Sequence, residues 1–193
     1  MYGLVNLAVK ELVTSNFGAE KWEEVKRRAG FQHETFNRME AYPDALTYQL
    51  VGAVSEVLGI TPDQALQAFG EYWVLYTGRH GYGHLFTVAG ANLWDFLHNL
   101  DNLHSRVGQN FPQLVPPSFL CDDLDAHTVR MHYYSERKGL CPMVIGLLTG
   151  LGKHFHTGIR IEHPVCVRDP ADHCEFVVHV GDAAGPSSQA PAR

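Results

Sequence analysis

The stretch Thr128-Val-Arg-Met-His-Tyr-Tyr-Ser-Glu-Arg137 alternates with a period of two, the pattern of a β-strand with one face on a core. Val129, Met131, Tyr133, Ser135 and Arg137 share one parity and so point to one side. The first two are apolar. The last three are hydrogen-bond donors, spread over roughly 13 Å at about 3.3 Å per residue. Such a row suits a bound dianion, for example the two propionates of a haem, because arginine offers a forked donor matched to carboxylate. It equally suits a strand whose inner face becomes solvated at its end.

Outward from this strand, Leu140 to Phe155 reads as a buried helix with Pro142 near its start. Gly146 and Gly150, four apart, let one face of it approach a neighbour closely. Ile159-Arg-Ile161 and Cys174 to Val180 read as two further strands. Residues 181–193 hold no aliphatic larger than alanine and read as a disordered tail, leaving residues 1–180 as one domain. Upstream, Pro116-Pro117 forbids helix locally, and the chain before Phe111 reads as a series of helices. Leu4, Leu7, Ala8, Leu12 and Val13 recur at helical spacing before Gly18. A short helix from about Glu20 ends at Gly30, and a third spans Ala45 to Leu58 with Gly59 as its stop. Thr61-Pro-Asp-Gln64 combines an N-cap, a first-turn proline and a capping-box glutamine. The helix behind it carries Phe69, Tyr72, Trp73 and Tyr76. Asn92 caps another, expected to stop at Gly108. The class is α+β: helices first, then a small antiparallel sheet with one helix packed on it.

Composition narrows the function. The 193 residues carry a net charge of −6, so there is no basic footprint for nucleic acid. The apolar uncharged run Leu140 to Gly152, like every other uncharged run of the chain, falls short of the roughly 20 residues a membrane helix needs. No signal peptide is visible, so a cytoplasmic protein with reduced thiols is expected. The 12 histidines invite a search for metal or haem ligands. The C-x-x-C-H sequence of covalent haem attachment is absent.

One histidine lies in an apolar stripe. Leu93, Leu97, Leu100, His104 and Val107 follow intervals of four, three, four and three, so all share one helix face. An imidazole there needs a partner for its ring nitrogens, either a metal ion or a backbone carbonyl.

Taken together, these features resemble a known family. Tyr133-Tyr-Ser135-Glu-Arg137 matches the Y-x-S-x-R signature of the haem–nitric oxide/oxygen-binding (H-NOX) domains. Met1-Tyr-Gly-Leu-Val-Asn6, Leu100-Asp-Asn-Leu-His104 and Pro117-Ser-Phe119 are similar to family segments in the same order. The resemblance implies seven helices and a four-stranded antiparallel sheet enclosing one non-covalent haem b, and kinship with the gas-sensing region of soluble guanylate cyclase. It implies His104 as the iron ligand and Tyr133, Ser135 and Arg137 as the propionate clamp. Val5 and Pro117 would touch the porphyrin, and Trp73, Met143, Val144 and Leu147 would line the gas side. The α-helical aromatics from Phe69 to Tyr76 would line a cavity. Family members that bind oxygen stably present a tyrosine hydroxyl where Met143 aligns, so this chain is expected to bind nitric oxide and carbon monoxide and to exclude oxygen.

Cys141, His163, Cys166 and Cys174 form a second set. Three thiols and an imidazole suit a closed, tetrahedral structural zinc. Some bacterial H-NOX proteins carry zinc with this pattern, which the resemblance extends to these four residues. Unrelated buried thiols, or a Cys166–Cys174 disulfide, are the other readings. Cys121 is unassigned and structural.

The function expected is non-enzymatic sensing of nitric oxide at ferrous haem. By family analogy the output passes to a separate histidine kinase or cyclic-di-GMP enzyme through a shift of the N-terminal helical lobe. The alternatives are a zinc–thiolate redox sensor, and a hydrolase using metal-bound water, which needs an open coordination position.

Overall fold

Gly3 opens helix α1 (Gly3–Phe17) because only glycine fits there: a Cβ would collide with the Asn37 carbonyl oxygen. The strand-like residue before it, Tyr2, bridges to Ala41, and the Gly3 N–H donates to the Glu40 carbonyl at 2.8 Å. The computed structural model describes residues 1–31, 35–77, 80, 82–111 and 113–181. Most of the expected tail, residues 182–193, lies outside them.

Helices α2 (Ala19–Arg28) and α3 (Asp44–Leu58) follow the sequence reading closely. Gly59 takes the left-handed φ of 67° that its position at the end of α3 requires. Helix α4 (Pro62–Thr77) starts with the expected capping box. The Gln64 N–H donates to Thr61 Oγ1 at 3.2 Å, and the Thr61 N–H donates to Gln64 Oε1 at 2.9 Å. A short helix, α5 (Gly83–Ala89), has no strong periodic signal and was not anticipated from the residues. Helix α6 (Leu93–Asn110) is capped by Asn92, whose Oδ1 accepts from the Asp95 N–H at 2.9 Å. It runs past Gly108, the expected stop. A glycine in mid-helix costs only about 1 kcal/mol, so the helix continues to Asn110.

Four strands form one antiparallel sheet in the order β1-β2-β4-β3. They are β1 (Ser118–Asp125), β2 (Thr128–Tyr134), β3 (Ile159–Val165) and β4 (Cys174–Val180). Strand β1 escaped the sequence reading because it is an edge strand with little buried surface, so its pattern does not alternate. Strand β2 stops at Tyr134, not at Arg137. The Ser135 Oγ accepts the Arg137 N–H at 3.1 Å, which turns the chain. Ser135 and Arg137 therefore lie in a turn and do not continue the row of strand side chains.

Two cores result. Helices α1 to α4 enclose Leu4, Val13, Trp22, Leu50 and Phe69. Helix α7 (Cys141–His154) lies with α6 over the sheet, enclosing Leu93, Leu97, Met131, Leu148 and Phe176. The α4 aromatics belong to the first core: Phe69, Tyr72 and Tyr76 are buried in it, where they were expected to line a cavity. Trp73 packs at its edge. Helix α7 joins the cores through the close face anticipated at Gly146 and Gly150. A Cβ on Gly146 would strike the Gln67 carbonyl of α4, and one on Gly150 would lie 2.9 Å from the Glu71 carbonyl oxygen. Gly70 of α4 meets the Met143 carbonyl in the same way. Among the described residues, no helix is long and apolar enough to cross a membrane.

Candidate functional site

His104 sits on the last turns of α6, where the apolar stripe fades from the fully buried Leu93 and Leu97 toward the half-buried Leu100 and Val107. Its Nδ1 is buried and has no hydrogen-bond partner among the described residues. Burial lowers its pKa to about 4, against a smaller opposing pull from Asp101. The ring is therefore neutral at pH 7, and one of its nitrogens carries a lone pair. An orphaned buried nitrogen on a neutral imidazole is what a metal ligand would leave behind, and no backbone carbonyl takes the role offered by the alternative reading. The ring stacks on Phe119 at 5.5 Å between centroids, and Phe119 in turn lies 5.2 Å from Tyr133.

Tyr133 faces inward on β2 and is buried. Burial pushes its phenol up to about 12, opposed in part by its hydrogen bond with Ser135. Arg137 is anchored on two sides. Its Nε donates to Asp44 Oδ2 at 2.7 Å and its Nη1 donates to the Val115 carbonyl at 2.7 Å. The latter bond ties the turn after β2 to the Val115-Pro116-Pro117 connector. Tyr133, Ser135, Arg137 and the segment bearing Pro117 are thus brought together, through a turn and not through strand parity.

Val5 packs against the first core from α1. Met143, Val144 and Leu147 lie on the first two turns of α7, with Val144 buried and the others half-buried. Met143 and Trp73 both pack against the first core, and Val144 and Leu147 belong to the second.

The thiol set converges. The donor atoms of Cys141, His163, Cys166 and Cys174 all lie within 4.8 Å of one another. Cys141 Sγ is 3.2 Å from Cys174 Sγ and 3.7 Å from Cys166 Sγ. Sulfurs on a tetrahedral zinc, at about 2.3 Å each, stand roughly 3.8 Å apart. His163 Nε2 is buried without a partner, and its ring stacks on Phe176 at 4.4 Å. The Val167 N–H donates to Cys174 Sγ and the Arg168 N–H to Cys166 Sγ, both at 3.4 Å. These four residues could hold a tetrahedral ion. Cys121 stands apart, with its thiol donating to the Leu97 carbonyl at 3.5 Å.

Two residues that position the site were missed in the sequence. Asp101, one turn before His104, accepts from Ser118 Oγ at 2.9 Å and from the Phe119 N–H at 3.0 Å, so it fixes β1 to the histidine helix. A carboxylate three residues before the histidine was the available signal. Asp44 had none, since its partner Arg137 is remote in sequence.

Comparison with known proteins agrees with this geometry. A family model described as haem-NO-binding matches residues 2–163. Soluble guanylate cyclase gcy-32 of Caenorhabditis elegans is 34% identical over 156 residues, which cover 79% of this chain and 23% of that protein. Soluble guanylate cyclase 89Db of Drosophila melanogaster is 28% identical over 156 residues, 81% of this chain and 23% of that protein. The chain therefore spans about a quarter of these relatives. An H-NOX protein from S. oneidensis, solved in the Fe(II)NO ligation state, shares the fold with a TM-score of 0.84 at 20% identity, covering 93% of this chain and 99% of that one. Neither a thiolate redox sensor nor a hydrolase is favoured by these matches. The match over residues 2–163, on what among the described residues are seven helices and one four-stranded antiparallel sheet, shows that the chain belongs to the haem-NO-binding family of haem-based gas sensors.

Proposed function

We propose that residues 1–180 form a cytoplasmic sensor of nitric oxide that works at a ferrous haem b, also takes carbon monoxide, and excludes oxygen. The observation that carries this reading is His104, a neutral imidazole whose buried Nδ1 has no partner among the described residues. When bound, the haem iron supplies the coordination position that a diatomic gas occupies. His104 would offer a lone pair to the iron from α6. Tyr133, Ser135 and Arg137 offer donors to the two propionates, and Val5 and Pro117 are assigned contacts with the porphyrin. Trp73, Met143, Val144 and Leu147 keep the gas side apolar. A thioether at Met143 has no proton to stabilise the partial negative charge of bound oxygen, whereas nitric oxide and carbon monoxide depend much less on a donor. The family description names nitric oxide, and a fold neighbour was solved in an Fe(II)CO state.

The domain senses and does not catalyse. Its output passes to a separate protein, a histidine kinase or a cyclic-di-GMP enzyme, that binds the gas-loaded and gas-free states with different affinity. Absorption spectra of the reduced protein in air, under carbon monoxide and under nitric oxide test the reading. Both added gases are expected to shift the spectrum, and air is not. A stable oxygenated spectrum in air-saturated buffer overturns the oxygen exclusion, and absence of any haem overturns the whole.

We also assign a structural zinc to Cys141, His163, Cys166 and Cys174, on the support of their converging donor atoms. Elemental analysis is expected to find zinc bound through these residues, with a loss in Cys166→Ser and Cys174→Ser. Protein without zinc whose thiols titrate rapidly in the native state rules the site out.

A further inference from the structure

The histidine excess is not exhausted by His104 and His163. On the face of the sheet opposite Cys174 and Phe176, His132 of β2 stands directly across from Glu175 of β4, and His173 precedes β4 with the same parity as Glu175. His132 Nδ1 is 3.0 Å from His173 Nε2. Glu175 Oε1 is 3.6 Å from the first and 3.4 Å from the second.

The outer nitrogens decide what this trio can hold. His132 Nε2 faces Asp122 Oδ2 at 3.0 Å, and His173 Nδ1 faces Asp172 Oδ1 at 2.5 Å. An ionised carboxylate only accepts, so each of these nitrogens carries its ring's N–H. In the neutral rings, His132 Nδ1 and His173 Nε2 then both present lone pairs. With Glu175 Oε1 they make three acceptors aimed at one point with no donor among them. Carboxylates behind the far nitrogens of histidines are the arrangement that orients imidazoles toward a metal. The spacing agrees: ligand atoms about 2.0–2.1 Å from a tetrahedral zinc stand roughly 3.3 Å apart. Tyr134 stacks on His173 at 4.6 Å and limits its rotation. Arg130 Nε lies 3.9 Å from the other Glu175 oxygen, Oε2, so it leaves Oε1 free to face the histidines. Asp122, Asp172 and Glu175 outnumber Arg130 around the two rings, so the fixed local charge favours a divalent cation.

We propose that His132, His173 and Glu175 form a second metal site on the outer face of the sheet, taking zinc or a similar imidazole-preferring divalent ion with water in the remaining position. All three ligands are part-exposed, so the ion exchanges with solvent more readily than one held by the thiol set, where Cys141 and Cys174 are buried. Because His173 adjoins Cys174, the ion would also fasten the start of β4 to β2.

Titrating zinc into the haem-loaded full chain by calorimetry, after dialysis to remove loosely held metal, tests this. The parent is expected to bind one zinc beyond whatever the dialysed protein retains. His132→Gln, His173→Gln and Glu175→Gln are each expected to weaken that step at least tenfold while leaving the retained zinc and the haem spectrum unchanged. Asp122→Asn, which leaves all three ligands in place, is expected to weaken it about tenfold. The thermal midpoint of the parent should rise with added zinc, and that of Glu175→Gln should not. If the parent takes up no added zinc, a shared proton bridges the histidines and the proposal fails. It fails equally if the three ligand variants, shown folded by circular dichroism, titrate like the parent. If dialysis empties the thiol set, that set takes up an added zinc of its own, which the three ligand variants keep, so the proposal is read only from the step that those variants lose.

Discussion

Arg137 Nε lies 2.7 Å from Asp44 Oδ2, so the turn after β2 is bonded to the first turn of α3 across 93 residues of sequence. The other carboxylate oxygen, Oδ1, accepts from the Met1 ammonium at 2.5 Å. One carboxylate thus links the helical lobe, the start of α1 and the arginine assigned to the propionate clamp.

This junction sets a pH dependence. Burial raises the Asp44 pKa, but hydrogen bonds from Met1 and Arg137 and their positive charges outweigh it and hold the carboxyl below its ordinary 3.8. A carboxyl with a depressed folded-state pKa stabilises the fold fully above its unfolded value, and the contribution is lost as pH falls through the folded value. Asp44→Asn should therefore cost about 1 kcal/mol at neutral pH, since the pair is partly exposed. The gap to the parent should close as pH drops below about 4. Urea unfolding at neutral and acid pH measures it. An undiminished gap at low pH contradicts the assignment.

His104→Gly should abolish tight haem retention, or make it depend on added imidazole, because the substitution removes the only proposed axial ligand and leaves room for a free ring. The reduced spectrum reports it. An unchanged spectrum without imidazole means another residue is the ligand.

Arg137→Ala should cost more haem affinity than Ser135→Ala. A charge-assisted bond contributes about 1.5–3 kcal/mol and a neutral hydroxyl bond about 1 kcal/mol. Arg137→Ala also frees the Val115 carbonyl and so loosens the Pro116-Pro117 connector. Rates of haem transfer to apomyoglobin compare the two. Equal rates for both variants and the parent contradict the clamp.

Two glycine substitutions should act with opposite sign. Gly146→Ala pushes a methyl into the α4 backbone at Gln67, which cannot yield like a flexible side chain, and should destabilise by about 1–3 kcal/mol. Gly52→Ala, in α3 with nothing within 4 Å of the new Cβ, should stabilise by up to about 1 kcal/mol through helix propensity. Thermal unfolding of both proteins checks the contrast.

Signals confined to one element were legible in the residues alone. The Thr61–Gln64 capping box, the Asn92 cap, the helix stop at Gly59 and the alternation of Cys174 to Val180 each depend on spacing within a few residues, and each forms as written. The stripe placing His104 and the close face at Gly146 follow from helical periodicity in the same way. The H-NOX signature carried the family, although Ser135 and Arg137 reach the site through a turn. Where local preference is weak, tertiary packing decided: α5 and the edge strand β1 have little amphipathic pattern, and α6 continues through Gly108 because one glycine costs too little to stop it. The pairings Asp44–Arg137, Asp101–Phe119 and His132–His173 belong to tertiary structure for a different reason. Each joins groups remote from one another along the chain, and a hydrogen bond depends on where the folded backbone carries its two ends, which no spacing along one element encodes.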